Sequence, residues 1–354
     1  MSRFFSSKFD NLTPYTPGEQ PKIKDLVKLN TNESPFPPSK KAIRYAAEAA
    51  KELQLYPDPT CQALTQKAAE IWGVEADEVL ITNGSDEILN FAFMAYCDEK
   101  TPAVFPDITY GFYKVFAQLL NVPYEEIPLR DDFTIDTQDY INVGKTVFIA
   151  NPNAPTGIPL SLSEIEEIVK SNPNNVVVVD EAYIDFGGES AVPLTKKYDN
   201  LLVTQTFSKS RSMAGARLGL GIGSKALIQD LNTIKYSTNP YNINKMTMAA
   251  GLGALEDEAY TKRNCKTICK NRTYTKKMLR KMDFETTDST ANFIFAKHKV
   301  LSGGMIYARL REKGILVRHF DGERIKDYNR ITVGTKKEMQ AFLRAVSEIL
   351  EENK

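Results

Sequence analysis

The stretch "NNVVVVDEAY", residues 174–183, constrains the fold more than any other part of the chain. Its four consecutive valines, Val176–Val179, show no alternation of apolar and polar positions, so both faces of the strand they form must be covered. Such a strand lies inside a sheet flanked by helices. It runs directly into Asp180, a carboxylate at the end of a buried strand, where an uncompensated charge is costly. Two explanations are open at this point. Asp180 caps a helix or bridges to an arginine, or it serves as counter-ion to a protonated ring nitrogen in a bound molecule. In the second case Tyr183, three residues on, could reach a phenolic oxygen of the same ring.

Other segments repeat the pattern. "VLIT" (79–82), "TPAVF" (101–105), "TVFIA" (146–150) and "NLLVTQTFS" (200–208) read as buried strands, and "LGLGIG" (218–223) as a glycine-rich one. Between them "EILNFAFMAYC", "FYKVFAQLL" and "SLSEIEEIVKS" read as helices, the last with a serine-led start and an acidic first turn. This alternation, from about residue 40 to 245, predicts an α/β fold with an open, mostly parallel sheet and helices on both faces. Ligands of such sheets collect at the carboxyl ends of strands. Four polar groups fall there: Asn83–Asp86, Asn151–Gly157, Asp180–Tyr183 and Ser208–Lys209. Beyond residue 245 the texture changes. "MTMAAGLGALEDEAYTKRNCKTICKNRTYTKKMLRKM" reads as one long helix, and "NFIFAKH", "ILVRHF" and "NRITVG" as short strands of a smaller α+β unit. The expected division is 31–245 for the large unit, with 1–30 and 246–354 forming an N-terminal segment and a small C-terminal unit.

Composition narrows the function. The 42% apolar and 25% charged fractions are those of a soluble globular protein. Forty-five basic and forty-five acidic residues cancel, so an anionic ligand must be held by local groups rather than by a global field. No basic stripe points to nucleic acid and no polybasic run to a membrane surface. No apolar run approaches the length of a membrane span. "MSRFFSSKFDNLTPY" lacks the apolar centre and cleavage site of a signal peptide. The four cysteines form no CxxC pair, and Cys265 and Cys269 are expected to be reduced thiols on one helix, which makes the cytoplasm the expected compartment. Only two histidines, His298 and His319, are present, so no multi-histidine metal site can form and no metal is expected. Any catalysis must then rest on a lysine, a tyrosine or a borrowed cofactor.

The stretch "VTQTFSKSRSMAGARLGLGIG" (203–223) holds a single lysine, Lys209, among small residues, with Arg217 eight positions on. Burial or a neighbouring cation would lower the Lys209 pKa and supply a free amine. The alternative is an exposed lysine in a serine-rich loop. "NGSDE" (83–87) follows a strand and opens a helix, where free N–H groups and the helix dipole favour an anion. The alternative is a helix simply capped by Ser85 or Asp86. Each feature is ambiguous alone. Together, a phosphate cradle (Gly84, Ser85, Asp86, Ser208, Arg217), a carboxylate for a ring nitrogen (Asp180), a phenol (Tyr183) and a Schiff-base lysine (Lys209) match pyridoxal 5′-phosphate group by group.

With these residues in place, the chain resembles the fold-type-I pyridoxal-phosphate aminotransferases, and within them the histidinol-phosphate aminotransferase family. The markers run from "NLTPY" (11–15) to "RITVG" (330–334) and include "LNTNESPF", "YPD", "NGSDE", "ITYGFY", "NPNAPTG", "VVDEAY", "TFSKS", "AGARLG", "PYNIN" and "GILVRHF". The resemblance implies a large domain with a mostly parallel seven-stranded sheet sandwiched by helices, plus a smaller α+β domain. It implies that Lys209 carries the cofactor and transfers the proton, Asp180 holds the pyridine nitrogen, Tyr183 bonds the phenolic oxygen and Tyr110 stacks on the ring. Gly84, Ser85, Asp86, Thr206, Ser208 and Arg217 would surround the phosphate. Tyr56 would reach the cofactor of a partner subunit, which implies a homodimer. Tyr15, Asn153, Arg318 and Arg330 would bind substrate. Two positions depart from the family pattern: Ala154 stands where an asparagine usually contacts the phenolic oxygen, and Phe36 where a tyrosine is frequent. Three other functions stay in view. A threonine-phosphate decarboxylase and an aromatic amino-acid aminotransferase share these motifs, and a cofactor-binding regulatory protein would need a DNA-binding segment that the chain does not display.

Overall fold

The computed structural model describes residues 2–10, 12–21 and 25–353; Asn11, the first residue of "NLTPY", lies outside them. The first strand is β1 (Val27–Lys28). Six more follow as β2 (Val79–Thr82), β3 (Ala103–Pro106), β4 (Tyr124–Ile127), β5 (Thr146–Ala150), β6 (Val177–Asp180) and β7 (Leu201–Thr206). The rest are β8 (Gly219–Gly223), β9 (Phe284–Thr286), β10 (Phe293–His298), β11 (Ile315–Leu316), β12 (Arg318–His319) and β13 (Tyr328–Thr332). The first five helices are α1 (Lys40–Ala49), α2 (Gln62–Trp72), α3 (Ser85–Tyr96), α4 (Phe112–Leu120) and α5 (Leu162–Ser171). They are followed by α6 (Lys225–Thr238), α7 (Lys245–Leu255), α8 (Glu258–Arg280), α9 (Gly303–Glu312) and α10 (Lys336–Glu352).

Seven strands form one sheet in the order β2-β8-β7-β6-β5-β3-β4. All its pairings are parallel except those of β8, which runs antiparallel to both β2 and β7. The valine run sits at its centre as β6. Val177 and Val179 enter one core with Ile165, Ile168 and Val169 of α5, while Val178 enters another with residues of α3, α4 and α6. Burial on both faces is the physical reason for the missing alternation. Each valine so buried contributes roughly 1.5–3 kcal/mol of apolar transfer energy. The edge strand β4 was not legible in the sequence. Its Glu125 and Glu126 are exposed and pair with Lys145 and Lys114, charges that keep an open edge from recruiting another strand.

The single long helix expected after residue 245 is two helices. Asp257 leaves helical geometry (φ −123°, ψ 48°), so α7 ends and α8 begins on a new axis. The two have different neighbours. Ala250, Ala254 and Leu255 of α7 join the core under the seven-stranded sheet, whereas Cys265, Ile268 and Leu279 of α8 join the core of the second sheet. That second sheet is antiparallel, in the order β12-β13-β10-β9. "ILVRHF" also divides: its first half is β11, which pairs in parallel with β1. Leu29 then donates to Leu316 O and accepts from Thr332 N, at 2.7 and 2.9 Å. The segment after β1 is thereby laid between the two sheets, and residues 30–32 reach the carboxyl ends of β6 and β7.

Candidate active site

The carboxyl ends of β2, β5, β6 and β7 enclose an inner pocket of about 90 Å³ lined by Ser85, Asp86, Tyr110, Ala154, Asp180, Tyr183, Thr206, Ser208, Lys209 and Arg217. An outer cleft of about 800 Å³ continues from it toward Tyr15, Arg318 and Arg330, with Tyr110, Ala154, Tyr183 and Lys209 shared between the two. Residues separated by more than three hundred positions thus meet in one space.

Asp180 is buried and, among the described residues, has no cationic partner within salt-bridge distance. The salt-bridge explanation therefore fails. Its carboxylate accepts from Tyr113 Oη and from the Ala182 N–H, both at 3.2 Å, and from Thr204 Oγ1 at 3.4 Å. Burial pushes the carboxyl up to about 6, aided by the nearby negative charge of Asp86 and opposed by these three bonds. A buried carboxylate in this state is poised to gain a cation.

Lys209 follows β7 and holds its ammonium by one bond, Nζ to Thr31 O at 3.2 Å. Burial lowers its pKa to about 8; the charges of Arg330 and Arg217 push in the same direction, and Asp86 and Glu33 oppose them. Roughly a tenth is then free amine at pH 7, far more than for an ordinary lysine, as a nucleophile or base requires.

The helix start at residue 85 is not the capped terminus that sequence alone allowed. Neither Ser85 nor Asp86 caps it; the N-cap is Gly84 (φ 78°), and no side chain bonds there. A Cβ on Gly84 would lie 2.7 Å from Arg217 Nη2, and one on Gly219 would lie 2.4 Å from the Ser85 N–H nitrogen. The two glycines let α3 start close against β8 and the Arg217 guanidinium. That guanidinium bonds Asp86 Oδ2 at 2.9 Å and Ser208 Oγ at 3.3 Å, while Thr206 Oγ1 donates to Ser208 Oγ at 3.0 Å. Tyr110 donates to Asp86 Oδ1 at 2.7 Å. Free helix N–H groups, two hydroxyls and an arginine converge on one end of the pocket, and a lone carboxylate lies at the other. The donor set fits pyridoxal 5′-phosphate: the α3 N–H groups, Ser208 and Arg217 would suit a phosphate, Asp180 a protonated ring nitrogen and Lys209 an aldehyde carbon.

Two expected residues stand elsewhere. Asn153 is buried and lines neither cavity. Its amide donates to Ile108 O and Thr156 Oγ1 and accepts from Thr109 Oγ1, at 2.9, 3.1 and 2.7 Å. These bonds tie the side chain to the loop after β3 and to Thr156, so the expected substrate role of Asn153 is not supported. Tyr56 lies away from the pocket, 80% exposed and stacked on Tyr241 with ring centroids 4.8 Å apart.

In the outer cleft Arg330 is held by Nη2 to Asn30 O at 3.2 Å, and its buried Nε has no partner. Arg318 Nη2 donates to Thr16 O at 3.3 Å, and Tyr15 stacks on Phe112 at 4.4 Å. Four other contributors escaped sequence reading: Thr31, Asn32, Tyr113 and Arg324. Arg324 ties the loop after β12 to the large sheet by Asp107 Oδ2 at 2.9 Å and by the Leu129 and Arg130 carbonyls at 2.7 and 2.9 Å. Tyr113 could have been found from its spacing, since it lies three residues after Tyr110 at the start of a helix.

The model of the family "Aminotransferase class I and II" matches residues 24–346. The chain belongs to that aminotransferase family. A histidinol-phosphate aminotransferase of Brachyspira hyodysenteriae is 48% identical over 99% of both chains. Among solved structures, the histidinol-phosphate aminotransferase of Sinorhizobium meliloti in complex with pyridoxal-5′-phosphate superposes with a TM-score of 0.91, covering 100% of this chain and 99% of that one at 22% identity. The L-threonine-O-3-phosphate decarboxylase of Porphyromonas gingivalis superposes with 0.79, covering 92% and 100% at 20% identity. Both of these structural likenesses establish the fold. This aminotransferase therefore carries the fold-type-I architecture.

Proposed function

We propose that this aminotransferase exchanges an amino group between histidinol phosphate and 2-oxoglutarate, working in histidine biosynthesis from imidazole acetol phosphate and glutamate, with pyridoxal 5′-phosphate as cofactor. The observation that carries the reading is the pairing of sites. A pocket with an uncompensated carboxylate and a depressed lysine opens into a cleft where Arg318 and Arg330 have, among the described residues, no carboxylate partner. Planar guanidinium groups suit carboxylate and phosphate alike, so one cleft can receive two different anionic substrates in turn.

When bound, the cofactor supplies an electron sink for the pair left at the substrate's α-carbon. The residues do the rest. Asp180 would hold the proton on the ring nitrogen, and Tyr183 would bond the phenolic oxygen. Ser85, Asp86, Thr206, Ser208 and Arg217, with the α3 N-terminus beside Gly84, would hold the phosphate, and Tyr110 would cover the ring. Lys209 Nζ would carry the proton between the substrate's α-carbon and the cofactor's carbonyl carbon, in opposite directions in the two half-reactions. Arg330, Arg318 and Tyr15 orient the anionic end of either substrate. The exposed Tyr56 completes the cofactor site of a second subunit in a homodimer. The chain divides into a large cofactor-binding unit from about residue 31, continuing through α7 because that helix shares its core, and a second unit built from the remainder. The protein acts in the cytoplasm; among the described residues no helix is long and apolar enough to cross a membrane, and none of the cysteines is paired.

The 48% identity to a histidinol-phosphate aminotransferase favours transamination over the decarboxylase and aromatic-substrate readings. A visible spectrum of the purified protein tests this. The band of the lysine-bound cofactor should disappear on adding glutamate alone and on adding histidinol phosphate alone. Response to neither, with carbon dioxide released from threonine phosphate, would overturn the assignment in favour of a decarboxylase.

A further inference from the structure

Ala154 leaves the phenolic oxygen of the cofactor without the asparagine that the resemblance calls for, yet a different buried asparagine bonds the tyrosine that the resemblance assigns to that oxygen. Asn32 lies where the N-terminal segment crosses between the two sheets, 1% exposed, with its backbone in the left-handed region (φ 56°). Its Nδ2 donates to Tyr183 Oη at 2.9 Å. Its backbone N–H donates to Thr332 Oγ1 at 2.9 Å, and the Thr332 hydroxyl donates to Asn32 Oδ1 at 3.1 Å. Asn292 Nδ2 donates to the Asn32 carbonyl at 2.9 Å.

The direction of this chain of bonds follows from donor chemistry. A backbone N–H can only donate, so Thr332 Oγ1 accepts there and turns its one proton to Asn32 Oδ1. With its oxygen so engaged, the Asn32 amide presents only N–H donors to Tyr183. The tyrosine oxygen accepts one of them and must send its own proton elsewhere. Among the described residues that hydroxyl donates to no protein group, and the open direction is the inner pocket, which Tyr183 lines beside Asp180 and Lys209.

Resting on the cofactor site proposed above, we infer that Asn32 is a positioning residue, locked by Thr332, that makes Tyr183 an obligate hydrogen-bond donor to the cofactor's phenolic oxygen. It takes over the work that an amide at position 154 would do. A donor at that oxygen stabilises negative charge on it and keeps the neighbouring lysine–cofactor linkage unprotonated to lower pH. The charged groups that face Tyr183 are Arg330 from β13, Asp180 at the end of β6 and Asp86 at the start of α3, with Lys209 Nζ 5.9 Å from the ring centroid. Asn32→Ala and the substitutions at position 332 leave all four in place and add no charge, so a changed titration in those variants reports the orientation of the hydroxyl.

The experiment is a pH titration of the visible band of the cofactor-loaded protein, without substrate, in five variants. Asn32→Ala should raise the midpoint by roughly one pH unit, the effect of one charge-assisted bond. Asn32→Asp should raise it further, because a carboxylate draws the Tyr183 proton away from the pocket. Thr332→Val, which frees the amide to turn, should move it in the same direction, and Thr332→Ser should not. Tyr183→Phe is the reference. If Tyr183→Phe shifts the band while the position 32 and 332 variants do not, the relay is wrong and the site reading survives. If Tyr183→Phe also leaves it unmoved, the site reading itself fails. Should the position 32 variants not fold, the valine and serine pair decides: equal midpoints overturn the inference.

Discussion

The most informative perturbation is Asp180→Asn in the cofactor-free protein, because it should stabilise the fold while damaging the function. Asp180 is 4% exposed, and burial carries its carboxyl from an ordinary value of 3.8 to about 6. A carboxyl raised on folding binds its proton more tightly in the native state, so the unfolded state holds fewer protons between the two values and stability falls as pH rises through that window. The penalty is negligible below pH ~4 and complete above pH ~6, where a shift of about two units corresponds to about 3 kcal/mol. Asparagine keeps the shape, carries no charge, and can still accept from the Ala182 N–H. Urea unfolding of cofactor-free wild type and variant should therefore diverge with pH. The variant should be more stable by about 3 kcal/mol at pH 8 and by roughly half of that at pH 5. Adding pyridoxal phosphate should reverse the order, since only the wild type offers the ring nitrogen a counter-ion. A stability gap that does not change between pH 5 and 8, or a variant less stable at pH 8 without cofactor, would refute the reasoning that Asp180 is a buried charge waiting for a cation.

Three further outcomes are expected. Capture of pyridoxal phosphate by the cofactor-free protein needs the free amine of Lys209, held at about 8; its rate should climb about tenfold per pH unit below that value and level above it, and a rate flat from pH 6 to 9 would count against Lys209 as nucleophile. Arg330→Ala removes a charge-assisted contact to the substrate's anionic end, so KM for 2-oxoglutarate should rise roughly 10–100-fold with the cofactor band intact; an unchanged KM would place substrate recognition elsewhere. Gly219→Ala puts a methyl 2.4 Å from the Ser85 nitrogen, and should cost about 1–3 kcal/mol of stability and weaken cofactor affinity together; loss of stability without loss of affinity would separate β8 from the phosphate site.

Much of this was legible in one dimension because the physics is local. A strand covered on both faces must be apolar throughout, which is why "VVVV" announced the central strand. A helix opened by Ser161 with Glu164 three residues later announced α5, and both halves of that capping box are present. The chemistry-bearing residues also sit at strand ends, where the chain must turn and polar side chains are tolerated, so Lys209, Asp180, Tyr183, Ser85 and Arg217 stood out by position. Three features were hidden for the opposite reason. The edge strand β4 is covered on neither side enough to show an apolar pattern. The break at Asp257 depends on which core each half of the helical stretch must reach. Asn153 looked like a site residue until the loop around Ile108 and Thr109 claimed its amide.

By itself, then, the amino-acid order determined the buried strands, the mostly parallel sheet and the reactive groups on its carboxyl edge, since each follows from burial periodicity or from one residue's chemistry. What only the tertiary structure decided is which groups lack a partner and which acquire one from far away. Asp180 turned out to have no arginine, Arg330 no carboxylate among the described residues, and Tyr183 an amide contributed by Asn32 across 151 positions. Such facts depend on where three separate stretches of chain cross, and desolvation at that crossing sets the protonation of Lys209 and Asp180. No pattern along the chain encodes an electrostatic environment that exists only once the two sheets close around it.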